Sequence, residues 1–493
     1  MSDQPHVLFI TVDQWPAHLL GCLGHPEIET PTLDTLARSG TLYTSCYAET
    51  PICIPSRRSM MTGRTARGHG DRDFQTDLPM PPGATTLAGA FSAGGYQTNA
   101  IGKLHVYPPR DRIGFDEALL AEEGRGHLGG PDDYEMFLAD NGHPGEQFLH
   151  GMSNNEYFWN TWHLDDELHV TNWTTRSAAR QIKRRDPTRP GFWHVSYTHP
   201  HPPLAPLSRY LDRYARREIG PPVAGEWSAE GAALPPIVGA VRNFYARLPA
   251  AQLADTRRAF YALCTHIDHQ IRLLIGTLRE EGILERTVIV FASDHGDMLG
   301  DHGLFGKRLM YDGSARVPLL VIDRREGARI PANARDDRLV MLHDLMPSML
   351  ELAGLPVPEG VEGRSLLAPE RRDHIYGESH LGTKASRMVR DARHKLIWYP
   401  AGNCFQLFDM QEDPLEQRDL AADPGQADVL ARLQALLRGH LYGEDLELVD
   451  GERFIGLPAF EPAMGDNRGL SGQRGFHYPQ VPPSDPSVAV GAV

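Results

Sequence analysis

Apolar residues in this chain gather into short continuous runs, each stopped abruptly by polar or charged residues. The first run, His6-Val-Leu-Phe-Ile-Thr-Val12, is closed by Asp13-Gln14. A run of that length without polar alternation predicts a parallel strand buried on both faces. The same pattern recurs at 96–102, followed by Lys103 and His105, and at 192–197, followed by Thr198-His-Pro-His-Pro-Pro203. It recurs again at 287–292, followed by Ser293-Asp294-His295-Gly296, and residues 317–323 add a further strand. Helical patterning is predicted over 31–39, from Cys53 through Met61 to a stop at Gly63, over about 251–281, and over 339–352 before Gly354 and Pro356.

Open α/β sheets bind ligands in the crevice outside the carboxyl ends of their strands. Four strands ending in Asp, Lys/His, His and Asp/His therefore predict one shared site. Beyond about residue 367 the pattern changes to short alternating runs at 395–399 and 405–408, separated by turn signals. Those predict a small antiparallel sheet with one helix. The expected organisation is a catalytic domain over 1–367, a C-terminal subdomain over 368–449 and an extended Gly/Pro-rich tail over 450–493.

With 493 residues, 41% of them hydrophobic and 23% charged, the chain has the composition of a globular protein with a large core. A formal net charge of −15 argues against nucleic acid and anionic membranes as partners. An anionic substrate would then need a locally basic pocket. No apolar stretch of about 18 residues occurs and residues 1–12 lack the pattern of a secretory leader, so a cytoplasmic location is expected. Five cysteines, at 22, 46, 53, 264 and 404, show no metal-type spacing and no even count. The ordinary fate of each is a small buried apolar residue.

Cys53 has a different context. In Cys53-Ile-Pro-Ser-Arg57, Pro55 fits the first turn of a helix, so Cys53 sits at its N-terminus and Arg57 one turn on, on the same face. The helix dipole and the guanidinium both favour an anionic nucleophile and an anionic substrate. Asp13, Gln14, Asp294 and His295 form two pairs, each after a buried strand. An Asp at a strand end is often only a helix cap, but two such pairs suit a hard divalent cation such as Ca²⁺, Mg²⁺ or Mn²⁺.

The segment Cys53-Ile-Pro-Ser-Arg57, continued by Met61-Thr-Gly-Arg64, resembles the Cys-x-Pro-Ser-Arg signature of the sulfatases. The resemblance runs in family order from Asp13 to the 407–414 stretch. It implies an alkaline-phosphatase-like α/β/α sandwich with a large, mostly parallel central sheet and a small C-terminal antiparallel subdomain. It also implies that a formylglycine-generating enzyme oxidises Cys53 to formylglycine, whose hydrate attacks the sulfur of a sulfate monoester. One hydroxyl of the hydrate displaces the alcohol, and the other expels sulfate. Asp13, Gln14, residue 53, Asp294 and His295 are the implied metal ligands. Lys103-Leu-His105 matches the Lys-x-His pair of true sulfatases, and His201 and Lys307, in Gly303-Leu-Phe-Gly-Lys307, complete the implied catalytic set with Cys53 and Arg57. His201 and Lys307 are assigned to the leaving alkoxide. His199 is the rival of His201, while Asp297, Asp301 and His302 read as capping or supporting residues.

The common sulfatase pattern has a second Asp at position 14 and often an Asn at 295. Gln14 and His295 resemble instead the phosphonate monoester hydrolases, which makes a phosphonate monoester or phosphodiester hydrolase the first alternative. An imidazole also admits Mn²⁺ more readily than an amide does. A noncatalytic binding protein that lost maturation is the second alternative. The expected substrate is a small, aryl sulfate ester, for which Tyr107, Trp159, Trp162 and Trp173 are candidate ring contacts, although each suits a core role as well. The tail is of a kind that reaches a neighbouring subunit, so a homo-oligomer is held as a hypothesis.

Overall fold

The computed structural model of the chain describes residues 4–124, 132–244 and 250–464. Its central sheet contains β1 (His6–Asp13), β2 (Thr41–Tyr47), β3 (Gln97–Gly102), β4 (Glu117–Leu120), β5 (Gly191–Pro200), β6 (Thr287–Ser293), β7 (Arg316–Asp323), β8 (Ala334–Asp336) and β9 (Val340–Met341). The order across the sheet is β4-β3-β5-β1-β6-β7-β2-β8, with β9 also pairing with β2. All pairings are parallel except those of β7, which runs antiparallel to both β6 and β2.

The continuous apolar runs arise because the sheet is covered on both faces. Leu8, Ile10 and Val12 of β1 enter one core with the Val170–Lys183 and Ala250–Glu280 helices, through Ala178, Ile182, Phe260 and Ile267. Val7 and Phe9 enter the other core with Met60, Met61, Phe91 and Met346. Each such fully buried side chain contributes about 1.5–3 kcal/mol relative to an exposed one, so the alternation of faces along β1 fixes its register. A smaller antiparallel sheet follows, formed by β10 (His374–Ser379), β11 (Ser386–Asp391), β12 (His394–Tyr399) and β13 (Cys404–Asp409). The Ala427–His440 helix packs Leu433 and Leu437 against it. The α/β class with a second, antiparallel sheet is thus the observed architecture.

Several details differ from the expected ones. The predicted helix over 339–352 begins as strand β9, continues as a tight turn at Leu342–Asp344 and becomes helical only over Leu345–Leu352. The cause is local: Val340 and Met341 pair with Cys46 and Tyr47, and the Asp344 carboxylate accepts from Met341 N at 2.8 Å and Arg364 N at 2.7 Å. Short apolar runs fit either period, and the free edge of β2 decided this one. The Pro-rich segment after 197 extends β5 itself as far as Pro200. Of the tail expected from 450, residues 465–493 lie outside the described residues; its start forms a hairpin of Val449–Asp450 with Arg453–Phe454.

Candidate active site

Strands β3, β5, β1 and β6 are consecutive parallel neighbours, so their carboxyl ends form one row. Val12 pairs with Ser293, which sets Asp13 and Asp294 side by side just beyond the sheet. Gln14 N and His295 N both donate to Asp294 Oδ1, at 3.1 and 2.9 Å. Adjacent strands lie about 4.8 Å apart, so β3 ends about 10 Å from β1. Only a long side chain crosses that gap, and Lys103 does: its Nζ lies 2.6 Å from Asp13 Oδ2.

The Cys53–Thr62 helix lies over this row. Ile52 at its N-cap is extended, and Gly63 closes it in the left-handed region with its N–H on Ser59 O. All ten residues are buried, because the polar ones are consumed by the site and its surroundings. Ser56 Oγ donates to Asp294 O. Arg57 Nε meets Asp294 Oδ2 at 2.8 Å, its Nη2 meets Asp13 Oδ2 at 3.3 Å, and its Nη1 donates to Lys103 O and Ser196 Oγ. A single guanidinium therefore joins the ends of β1, β3, β5 and β6 to the helix.

That arrangement leaves a matched set of donor atoms. Arg57 and Lys103 occupy the Oδ2 atoms, whereas Asp13 Oδ1 and Asp294 Oδ1 lie 3.6 and 3.7 Å from His295 Nε2. Cys53 Sγ is 3.2 Å from His295 Nε2 and 3.9 Å from Asp13 Oδ1. His295 Nδ1 faces Gly296 O at 3.0 Å; a carbonyl only accepts, so Nδ1 carries a proton and Nε2 is the ring atom turned toward the donor set. Ligand atoms of Asp13, Cys53, Asp294 and His295 all lie within 4.8 Å of one another. Ligands on opposite sides of a Ca²⁺-sized ion are about 4.6–5.2 Å apart, so the set fits a divalent cation. Gln14 is held beside it: Lys307 Nζ donates to Gln14 Oε1 at 2.7 Å and lies 3.3 Å from Cys53 Sγ. The Gln14 amide nitrogen is fixed by Tyr157 and Asp297.

The electrostatics follow from this crowding. Burial pushes the Cys53 thiol up, but the ammonium groups of Lys307 and Lys103, the His295 imidazole and a hydrogen bond from His105 outweigh it and carry it well below its ordinary range. Burial and the Cys53 sulfur also oppose charge on Asp13, yet Lys103, His201 and Arg57 hold it low. Asp294 moves the other way, raised by burial and by the Asp13 charge beside it. Position 53 thus sits in a field built to stabilise negative charge.

The structure brings all ten candidate residues, Asp13, Gln14, Cys53, Arg57, Lys103, His105, His201, Asp294, His295 and Lys307, to this row of strand ends and the loops around it. His201 Nδ1 lies 3.4 Å from Glu123 Oε1, and Glu123 Oε2 lies 2.9 Å from Lys103 Nζ. His199 turns away, packing on His169 with ring centroids 5.2 Å apart, its pKa lowered by burial to about 4. Asp297 supports the site by accepting from Gly306 N, next to Lys307, at 3.0 Å. Of the aromatic candidates, Trp173 is core, tilted against Tyr134 with ring centroids 5.5 Å apart, and Trp159 packs against the main core. Tyr107 borders Arg57 and His105, and Trp162 borders His199 and His201.

Three residues escaped the sequence reading. Glu122 Oε1 accepts from Leu104 N and His105 N, each at 2.8 Å, and Glu123 takes the Lys103 side chain. They follow β4, whose run Leu119-Leu-Ala121 before two acids repeats the strand-end pattern in a form too short to stand out. Ser196, inside β5, had no signal at all.

The family described as Sulfatase matches residues 5–355, and one described as N-sulphoglucosamine sulphohydrolase, C-terminal, matches residues 300–441. An arylsulfatase of Clostridium perfringens is 32% identical, covering 92% of this chain and 97% of its own. A choline-sulfatase of Rhizobium meliloti is 28% identical over 86% of this chain and 83% of its own. A phosphonate monoester hydrolase of Agrobacterium radiobacter has the same fold, with a TM-score of 0.74 at 24% identity, covering 91% of this chain and 98% of that one.

Proposed function

Because the chain belongs to the sulfatase family and is a sulfuric ester hydrolase, we propose that it cleaves aryl sulfate monoesters with a formylglycine hydrate made from Cys53. The observation that supports this most is the convergence of Lys103, Lys307 and Arg57 with the Asp13–Asp294–His295 donor set on the Sγ of Cys53. A cysteine merely packed in a core has no reason to sit between two ammonium groups and two carboxylates.

The roles follow from position. Lys103, beside Asp13, is placed to neutralise the sulfate oxygens as charge builds on them, and Lys307, 3.3 Å from Sγ, to stabilise the leaving alkoxide together with His201. Arg57 touches both carboxylates and so keeps the donor set in register while carrying residue 53 on its own helix. His105 lies beside residue 53, helps to hold its sulfur in the charged form and is placed to orient it. His201, directly after β5, is assigned to give a proton to the departing alkoxide. Cys53 is 1% exposed and Lys103 0%, so these charges act in a water-poor site where each counts for more. The residues that would hold a divalent ion are Asp13, Gln14, residue 53, Asp294 and His295, and a Ca²⁺, Mg²⁺ or Mn²⁺ ion there supplies charge that acidifies the nucleophile and neutralises a sulfate oxygen. The imidazole of His295 among oxygen donors favours Mn²⁺ within that group.

Maturation requires a formylglycine-generating enzyme as partner, and the burial of Cys53 means that it must act before the chain has folded. Coexpression with such an enzyme, followed by mass spectrometry of the Cys53 peptide, tests the chemistry: the matured peptide is about 18 Da lighter. An unmodified peptide overturns it and favours a noncatalytic binding protein. Side-by-side kinetics on aryl sulfate, phenyl phosphonate monoester and phosphodiester tests the substrate. Gln14 and His295 are the residues that favour the phosphonate reading, and a clear phosphonate preference would replace sulfate by it.

A further inference from the structure

The carboxylate of Glu123 bridges two of the basic residues just described, His201 and Lys103. We propose that Glu123 is a positioning residue for the leaving-group proton: it holds the His201 ring in the orientation that turns Nε2 toward the departing alcohol. The inference rests on the ester-hydrolase reading above and adds to it a residue that no motif assigns.

The hydrogen-bond inventory of the ring carries the argument. His201 is 1% exposed, and its Nδ1 lies 2.6 Å from Pro202 O and 3.4 Å from Glu123 Oε1. Both neighbours are acceptors, so Nδ1 carries a proton. Nε2 is buried without a hydrogen-bond partner and is the one ring atom left to exchange a proton with a ligand. A neutral ring protonated on Nδ1 has nothing to give through Nε2, so the donating form is the imidazolium, and it requires a facing negative charge. The charged and titratable groups around the ring are Glu123, Asp13, Lys103 and His199, with His150 across a small cavity. Among the described residues Glu123 Oε1, 3.4 Å from Nδ1, is the carboxylate oxygen paired with the ring, whereas Asp13 is shared between Lys103 and Arg57. Glu122 does not substitute, because its Oε1 is taken by two backbone N–H groups.

The same carboxylate fixes Lys103, 2.9 Å from its other oxygen. The group that neutralises sulfate and the group that protonates the alcohol are thereby set by one side chain, itself 6% exposed. In the step, the Nε2–H bond breaks as an O–H bond forms on the alcohol oxygen leaving sulfur. The ring returns to its neutral Nδ1–H form, Glu123 remains a carboxylate, and solvent water later restores the Nε2 proton.

The test is the leaving-group dependence of kcat/KM for matured wild type, Glu123→Gln, Glu123→Asp and His201→Asn. The series of esters runs from 4-nitrophenol, which departs unaided, to phenol and an alkyl alcohol, which need the proton. Glu123→Gln should lose only a few-fold on the 4-nitrophenyl ester and about 10²-fold on the phenyl ester. Glu123→Asp should bring back part of the shallow wild-type dependence, and Glu123→Gln should add little further leaving-group discrimination to His201→Asn. An equal loss across the series, or none, overturns the proposal. The slope is read on whichever class the wild type turns over, aryl sulfates or aryl phosphonates. Phosphonate turnover alone would count against the sulfate reading and leave the role of Glu123 to be judged by its own slope. Should Glu123→Gln fail to fold, Glu123→Ala carries the decision: a Glu123→Ala slope equal to wild type refutes the role.

Discussion

Replacing Arg57 with methionine removes a charge while keeping most of the stem volume, and it isolates what the guanidinium does for the two buried carboxylates. Arg57 makes two charge-assisted bonds, to Asp294 and Asp13, and two to neutral acceptors, Lys103 O and Ser196 Oγ. At about 1.5–3 kcal/mol for each charged bond and about 0.5–1.5 for each neutral one, the sum is about 4–9 kcal/mol. That is an upper bound, because Lys103 remains on Asp13 Oδ2 and bonds that share partners do not add. Asp294 Oδ2 is the atom left without its partner, so the expected loss is about 3–5 kcal/mol, the usual cost of breaking a buried pair from one side. The assay is the unfolding midpoint of unmatured wild type and Arg57→Met, each with chelator and with a divalent cation. Wild type gains about 2.7 kcal/mol at a cation concentration a hundredfold above Kd. The variant should gain more, since the cation then compensates carboxylates that have lost their other positive neighbour. A loss below about 1 kcal/mol in chelator, or an equal gain from the cation in both proteins, refutes the reasoning.

At Gly102, φ is +100° and an added Cβ would overlap Ser196 O, to which Lys103 N donates at 2.9 Å. Gly102→Ala should displace the Lys103 turn and lower kcat by at least about tenfold, since a misplaced charge loses much of its effect on the reacting group; far-UV circular dichroism should be unchanged, and wild-type kcat in the variant would contradict this. Burial lowers the pKa of His302 to about 4, against the help of its bond to Leu415 O. The unfolded chain therefore binds a proton between about pH 6.5 and 4 that the folded chain refuses, so stability is kept above pH 6.5 and falls as pH drops through that window. His302→Phe, which preserves the stack on Trp227, should flatten the stability–pH slope there by about 1.4 kcal/mol per pH unit, and an unchanged slope would dismiss the role.

What could be read from the sequence is what burial on two faces writes into it. β1, β3, β5 and β6 were legible because each is a continuous apolar run ended by a polar side chain that the sheet cannot absorb. The site was legible for the same reason: Asp13, Lys103, His201 and Asp294 are those endings, and the Cys53 helix announces itself by Pro55 and Gly63. β2 and β4 were missed because Thr41, Thr44, Ser45 and Glu117 dilute their apolar character, which near the sheet margin is tolerated. Glu122 and Glu123 were lost with β4. The split of oxygens at Asp13 and Asp294, Oδ2 to Arg57 and Oδ1 toward His295, depends on parallel register and helix placement, which no linear pattern encodes.

The placement of charge also reconciles an acidic protein with an anionic substrate. Asp13 and Asp294 are short side chains on adjacent central strands, and the cations reach in from farther away: Lys103 from two strands off, Arg57 from the helix above and Lys307 from the loop after β6. Around residue 53 those three cations meet three carboxylates, Asp13, Asp294 and Glu123, so the side chains alone leave the centre nearly neutral. A sulfate monoester gains little from a neutral centre. A divalent cation held by the Oδ1 atoms, His295 Nε2 and residue 53, as proposed above, would supply the excess positive charge. On this reasoning anion affinity and cation occupancy are one property of the site, and exposed charges contributing to the formal net charge of −15 matter little to it beyond a Debye length of about 8–10 Å.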